Sequence, residues 1–237
     1  MQHKNKGVQK VNKTLMIGIT AATATAMFGV AGPANAFTFG TNGISFDTDQ
    51  QINFNLVSSN GAFQSTLKIF EVLEGGALQE QAVLYEEVRA SDDGSKNGYR
   101  ATVGNAIQMV NDTFTFLATK VYTLGLVSTY KGNSAGTVYT TSTLNYTGLQ
   151  RAVFGSTGGQ EGIALPGASS LVAGNPFNGP VAIAFEDIKW AGADGDFNDF
   201  VVSAEAVPEP LTMGGLALGA AGLAAARRAR KRRTTEA

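Results

Sequence analysis

Ile52-Asn53-Phe54-Asn55-Leu56 and Leu67-Lys68-Ile69-Phe70-Glu71-Val72 decide the fold class. The first alternates apolar and polar residues with period two, and the second nearly does. Successive side chains of a strand point to opposite faces, so this rhythm builds one dry face and one wet face. Ser58-Ser59-Asn60-Gly61 lies between the two runs as turn material, and the pair is expected to form a hairpin. Downstream, residues 82–88 read as a strand, although 79–89 also fits a short helix, and Ser91-Asp92-Asp93-Gly94-Ser95 ends the element either way. Residues 113–116, 121–130 and 137–146 are rich in Thr, Val, Tyr and Phe and read as strands, with Gly-Asn-Ser-Ala-Gly at 132–136 as a loop. Residues 155–180, rich in Gly, Pro, Ser and Asn, form a long loop that either carries binding contacts or spans the end of the fold. Residues 181–185 and 200–205 close the pattern as strands. Short, regularly punctuated strands without a sustained helical period predict an all-β fold, an antiparallel β-sandwich of jelly-roll-like type.

Both ends of the 237-residue chain carry a different pattern. Lys4, Lys6, Lys10 and Lys13 precede an apolar stretch over 15–30, and Pro33-Ala34-Asn35-Ala36 follows. A basic, apolar, then small-x-small order is that of a signal peptide, with Ala34 and Ala36 as the small residues before the cut, which follows Ala36. At the other end, Pro208-Glu209-Pro210 precedes an uncharged run over 211–226 and the cluster Arg227-Arg228-Ala229-Arg230-Lys231-Arg232-Arg233. Proline fixes φ and donates no ladder hydrogen bond, so the β-domain is expected to stop near Val207. An apolar run halted by basic residues fits a transmembrane helix with its cluster on the cytoplasmic side. At about 1.5 Å per residue it reaches roughly 24 Å, less than the roughly 30 Å hydrocarbon core. Gly214, Gly215, Gly219 and Gly222 weaken it further as a helix. A transient handle suits these properties better than a permanent anchor. The expected division is a signal peptide over 1–36, a β-domain over 37–207 and a tail over 208–237.

His3 is the only histidine, and there is no cysteine. After removal of the leader the domain therefore lacks the means for a Ser-His-Asp triad, a cysteine nucleophile, or a zinc site of imidazole or thiolate. The remaining donors are carboxylates, hydroxyls and carbonyls, the ligand set of hard cations. Residues 37–207 hold eight Lys and Arg against seventeen Asp and Glu, a net charge of −9 hidden by the basic ends in a total of −1. Such a domain is not expected to take nucleic acid as a partner, because neutralising phosphates needs Lys and Arg.

Six oxygen-bearing side chains, Glu186, Asp187, Asp194, Asp196, Asn198 and Asp199, lie within fourteen residues between two predicted strands. Asp194, Asp196 and Asn198 recur at every second position, so a curled loop turns their oxygens toward one centre, as the first ligands of a Ca²⁺ loop do. Glu186 or Asp187 from the preceding strand completes a Ca²⁺ site on this reading. The plainer alternative is an Asx-rich turn that bonds its own backbone without metal. Glu205 stands where an EF-hand would place its bidentate glutamate, but Asp199 occupies the glycine position and no flanking helices are evident, so the coincidence is set aside. Trp190, the only tryptophan, offers a stacking face for a sugar ring, although core packing is the expected role. Glu86-Glu87 reads as a solvated face.

Pro208-Glu209-Pro210 with its apolar span and Arg-rich end resembles the sorting tail of PEP-CTERM proteins of Gram-negative bacteria. The resemblance implies cleavage of the tail in the envelope by an exosortase, after export by the general secretion machinery and signal peptidase. Phe185-Glu186-Asp187 followed by Gly195-Asp196-Phe197-Asn198-Asp199-Phe200-Val201-Val202 is similar to the closing motif of the DUF4114 family. Residues 52–70, with Gly61-Ala62-Phe63-Gln64 at their turn, are similar to that family's opening strands. The family implies an exported β-rich domain with Ca²⁺ sites at Asp194, Asp196, Asn198 and Asp199, and no activity. The expectation is a non-enzymatic envelope or extracellular protein for adhesion, exopolysaccharide association or surface-matrix assembly. The alternative is a secreted carbohydrate-active enzyme with two carboxylates, Glu186 and an Asp of the turn.

Overall fold

The apolar rhythm of residues 52–56 buries Ile52 and Phe54 while Asn53 and Asn55 turn away, and that of 67–72 buries Leu67 and Ile69. The structure, a computed structural model, describes residues 36–208 except 62, 89–102, 105 and 191. The signal peptide with Ala34, the turn at 91–95, Glu209, Pro210, the apolar run and the basic cluster lie outside the described residues, and Ala36 and Pro208 stand at their edges.

The strands are β1 (Phe37–Gly40), β2 (Gly43–Phe46), β3 (Gln50–Ser59), β4 (Gln64–Val72), β5 (Leu78–Glu87), β6 (Ile107–Met109), β7 (Thr113–Phe116), β8 (Tyr122–Tyr130), β9 (Asn133–Tyr139), β10 (Ala152–Phe154), β11 (Val181–Phe185) and β12 (Phe200–Ala206). The only helical pieces among the described residues are short 3-10 turns, and none is long and apolar enough to cross a membrane. One sheet has the order β1-β2-β8-β4-β5-β6, with β9 also paired to β8. The other has the order β10-β11-β12-β3-β7, and every pairing of named strands is antiparallel. Their inner faces share one apolar cluster, so the fold is an all-β sandwich.

The expected hairpin of β3 and β4 does not form. β3 is bonded on its two edges by β12 and β7, and β4 by β5 and β8, so the chain passes from one sheet to the other between Ser59 and Gln64. Alternation shows which side of a strand is dry, but both a hairpin and a crossing between facing sheets bury that side. Only the available edges decide between them.

Two further boundaries differ from the sequence reading. The chain reverses between β8 and β9 at Lys131 and Gly132, both with positive φ (49° and 78°), so Asn133 to Gly136, expected as loop, form strand. β9 ends at Tyr139 because at the next ladder position Thr140 N–H still donates to the Leu124 carbonyl at 2.9 Å, but the Leu124 N–H is accepted at 3.0 Å by the Thr140 Oγ1. On the other edge Asn145 Oδ1 accepts from the Tyr139 N–H at 2.8 Å and its Nδ2 donates to the Tyr139 carbonyl at 2.8 Å. Residues 140–146, expected as strand, therefore continue into 3-10 turns.

The core is rich in aromatic rings. Phe116 is fully buried, meets Phe114 and Tyr122 edge-on at 4.9 and 5.1 Å, and lies 5.7 Å from Phe46. Tyr85 of β5 crosses this core: its hydroxyl donates to the Phe54 carbonyl at 2.8 Å and accepts from the Leu56 N–H at 3.1 Å. Burial raises the pKa of this phenol, which keeps it a donor. The Leu56 N–H faces Tyr85 next to an irregularity in the β3–β12 register, where Val201 pairs with Ser58 and Val202 with Leu56. Val57, the residue passed over, turns to the outer face and joins Val153, Ala184, Phe197 and Val201 in a second apolar cluster. Leu165, Ala168 and Leu171 of the long loop at 155–180 cover that cluster. The loop thus lies over the outer face of the second sheet, directly behind the acidic turn.

Candidate functional site

Phe185 and Phe200 are paired at the end of β11 and β12, so residues 186–199 form the connection between two neighbouring antiparallel strands. Such a connection needs only two to five residues, and the surplus is folded down rather than left in solvent. Phe197 is its apolar anchor: the ring is buried in the outer cluster although its φ of 54° lies in the left-handed region. The long loop holds the turn from the other side. Gly159 N–H donates to the Asp196 carbonyl, and Leu165 N–H donates to the Gly195 carbonyl at 2.7 Å. At Gly158 a Cβ would stand 2.2 Å from the Phe197 carbonyl oxygen, so only glycine permits this approach.

This packing removes carboxyl groups from water. Glu186 is 0% exposed, and Asp187 and Asp196 are also buried. Glu186 Oε1 accepts from the Phe197 N–H at 2.8 Å, whereas Glu186 Oε2 is buried without a hydrogen-bond partner. Asp196 Oδ2 accepts from the Gly162 N–H at 2.8 Å and from Asn198 Nδ2 at 2.8 Å. Asn198 N–H donates to Asp196 Oδ1 at 3.3 Å, and the Asn198 Oδ1 is likewise buried without a partner. One oxygen each of Glu186, Asp194 and Asp196 lie within 4.8 Å of one another, with Asp194 on the exposed side. Arg151, itself buried, draws Glu186 back only weakly and donates from Nη2 to the Trp190 carbonyl at 2.6 Å.

Burial, helped by the Asp194 and Asp196 charges and opposed by the Phe197 hydrogen bond and Arg151, lifts the Glu186 carboxyl to about 7. Burial is also the main cause that raises Asp196. Asp187 and Asp199 make a separate pair: the Asp187 N–H donates to Asp199 Oδ2 at 2.9 Å. Burial lifts Asp199 to about 7 despite that bond, and burial together with the Asp199 and Glu186 carboxyls holds Asp187 well above its ordinary value.

Of the six side chains singled out, the fold therefore brings Glu186, Asp194 and Asp196 into one cluster, places Asp187 and Asp199 against each other beside it, and turns the Asn198 amide nitrogen toward Asp196. The every-second-residue pattern is met by Asp194 and Asp196 alone within the carboxylate trio. Glu205 lies on β12 opposite Asn53 and takes no part, which removes the EF-hand geometry. The set of donors fits a hard divalent cation: three carboxylates converge, and one of their oxygens is orphaned in a dry site, where an unpaired acceptor is costly. Without a cation, burial favours the protonated form of Glu186 and Asp196. A cation also needs further oxygens, and Asp194 faces the solvent that can supply them.

Two side chains depart from their expected places. Trp190 is 56% exposed and stands outside the core, with Tyr146 edge-on at 5.4 Å. A hydrogen bond through its carbonyl holds its backbone, so the ring projects while the chain stays fixed. Glu87 is buried where a solvated face was expected, and its Oε2 accepts from the Ser65 N–H at 3.0 Å. The residues that sequence reading missed are Arg151, Gly158 and Gly162: they act through main-chain groups or from a position distant in sequence, and no local pattern marks them. No known protein family, curated protein or solved structure matches this chain.

Proposed function

We propose that this is an exported protein of the cell envelope or extracellular matrix whose β-domain is stabilised by Ca²⁺ and serves adhesion, exopolysaccharide association or surface-matrix assembly. The observation that carries the reading is the meeting of one oxygen each of Glu186, Asp194 and Asp196 within 4.8 Å, where Glu186 also has a buried carboxylate oxygen without a partner. On this reading Glu186 and Asp196 hold the cation from the protein side, Asp194 closes the site at the surface, and Asn198, Asp187 and Asp199 complete its surroundings. The cation replaces protons that the buried carboxyls otherwise keep. It supplies stability to a domain without disulfides.

The same burial argues for binding rather than hydrolysis. A general acid must reach a glycosidic oxygen, and Glu186 is closed off from solvent behind Phe197 and the long loop. The proposal extends to a jelly-roll-like connectivity, a signal peptide cleaved after Ala36, and a PEP-CTERM tail cut by an exosortase at Pro208-Glu209-Pro210, with a DUF4114-like domain between them.

Melting the purified protein with calcium and with a chelator tests the cation. At a hundredfold excess over Kd the midpoint should reflect about 2.7 kcal/mol of added stability, lost in Asp196→Ala. An equal midpoint in both conditions rejects the site. For the address, Glu209→Ala should leave the tail uncut in cells, and normal processing of that variant rejects the sorting assignment.

A further inference from the structure

Beside the acidic turn, residues 188–190 leave the cation cluster and form one wall of an open groove of about 310 Å³. Its other walls are Phe63 from the crossing between the sheets, Tyr130 at the end of β8, and Asn133 to Ala135 at the start of β9. Aromatic rings stand on both sides: Tyr146 braces Trp190 at 5.4 Å, and Phe63 meets Tyr130 edge-on at 5.4 Å. The Trp190 side also presents an ammonium group, the Lys189 Nζ, 5.1 Å from the centre of the Trp190 ring. Gly136 makes room for it, since a Cβ there would stand 2.8 Å from Lys189 Cδ.

We propose that this groove binds an acidic polysaccharide, with a pyranose ring stacked on Trp190 and a uronate carboxylate at Lys189. Aromatic faces accept the C–H face of a sugar, and the amide of Asn133 and hydroxyl of Ser134 are suited to its hydroxyls. The volume lies at the small-molecule end of binding sites, about 300–1,000 Å³, and holds one or two sugar rings; a protein partner would need roughly 800 Å² of complementary surface. Lys189 is the one charged side chain lining the groove, so in a domain of net charge −9 this place favours an anion over the rest of the surface. The platform is already set: the Arg151 bond to the Trp190 carbonyl and the Tyr146 contact fix it before any ligand arrives. This rests on the polysaccharide-associating part of the reading above, and the groove itself contains none of the three clustered carboxylates.

Trp190 is the chain's only tryptophan, so tryptophan emission reports this groove alone. Titration of the purified protein with short oligogalacturonates, in calcium and in chelator, should give a saturable emission change in at least one condition. The same binding, read by calorimetry, should weaken about tenfold or more in Trp190→Ala and recover in part in Trp190→Phe. Lys189→Gln should weaken oligogalacturonate several-fold and reduce its salt dependence, while leaving neutral malto-oligosaccharides of equal length unaffected. Equal binding of neutral and acidic oligomers, unchanged in Lys189→Gln, overturns the acidic ligand. Binding by calorimetry that persists unchanged in Trp190→Ala overturns the groove but leaves polysaccharide association standing. Absence of binding to immobilised acidic and neutral polysaccharides alike rejects both, whatever the calcium melt shows.

Discussion

The interior between the sheets and the interior of the turn at 186–199 are equally dry and opposite in content. The first holds rings and aliphatic chains, and the Tyr85 hydroxyl that enters it is matched by a donor and an acceptor of β3. The second holds Glu186, Asp187 and Asp196, with Glu186 Oε2 and Asn198 Oδ1 left without partners. Burial stabilises the first and penalises the second unless protons or a cation neutralise it. The core therefore makes the fold, while the turn conditions it.

The comparison breaks most sharply under truncation. Phe116→Ala should cost about 3–5 kcal/mol in chemical denaturation, to the same extent with calcium and with chelator, since the cavity lies in the inter-sheet core. A loss that depends on calcium would show that the two interiors are not separate. Glu186→Gln should behave in the opposite manner. In chelator it should change stability by no more than about 1 kcal/mol, because the amide keeps the acceptor for Phe197 without a charge to bury. In calcium it should forfeit most of the roughly 2.7 kcal/mol that a hundredfold excess supplies.

A smaller effect should follow from pH. Glu186 and Asp199 keep their protons up to about 7 in the folded protein, whereas unfolded carboxyls release them near 4. Between those values the folded state binds more protons, so stability in chelator is fully present below about 4 and falls as pH rises to about 7. The melting midpoint in chelator should therefore be higher at pH 5 than at pH 8, and calcium should remove the slope. A midpoint that instead rises across this range without calcium would mean that the carboxyls are already ionised. The smallest change is expected at the surface: Lys68 and Glu80 pair at 2.9 Å on the first sheet, and Lys68→Ala should cost about 0–1 kcal/mol in either condition.

Much of this arrangement is legible in the residues. The β3, β7, β11 and β12 strands follow from alternation and β-branched or aromatic content, and the acidic turn announces itself by its density of carboxylates. The ambiguous run at 82–88 proves to be strand because Tyr85 pairs with Leu67 on one side and Met109 on the other. Other features were not legible. Residues 133–136 look like a loop by composition, yet β8 offers them a free edge, and edge pairing outweighs the weak propensity of Gly and Ser. Trp190 reads as a core residue by size, yet the outer cluster is filled by Phe197 and the long loop, and the ring is left outside.

Composition and pattern alone settle the class of chemistry and the class of fold. A domain without Cys or His offers only oxygen donors in its carboxylates, hydroxyls and carbonyls, and period-two alternation admits only sheets with one dry face. Those properties belong to each residue or to its nearest neighbours along the chain. Which edges pair, which three carboxylates meet, and which aromatic rings stay outside depend on groups far apart in sequence. Gly158 and Gly162 reach the turn at 186–199 because the long loop packs on the outer face of the second sheet, and Arg151 because β10 pairs with β11. Burial then raises the carboxyl pKa values, and burial is a property of the whole assembled interior.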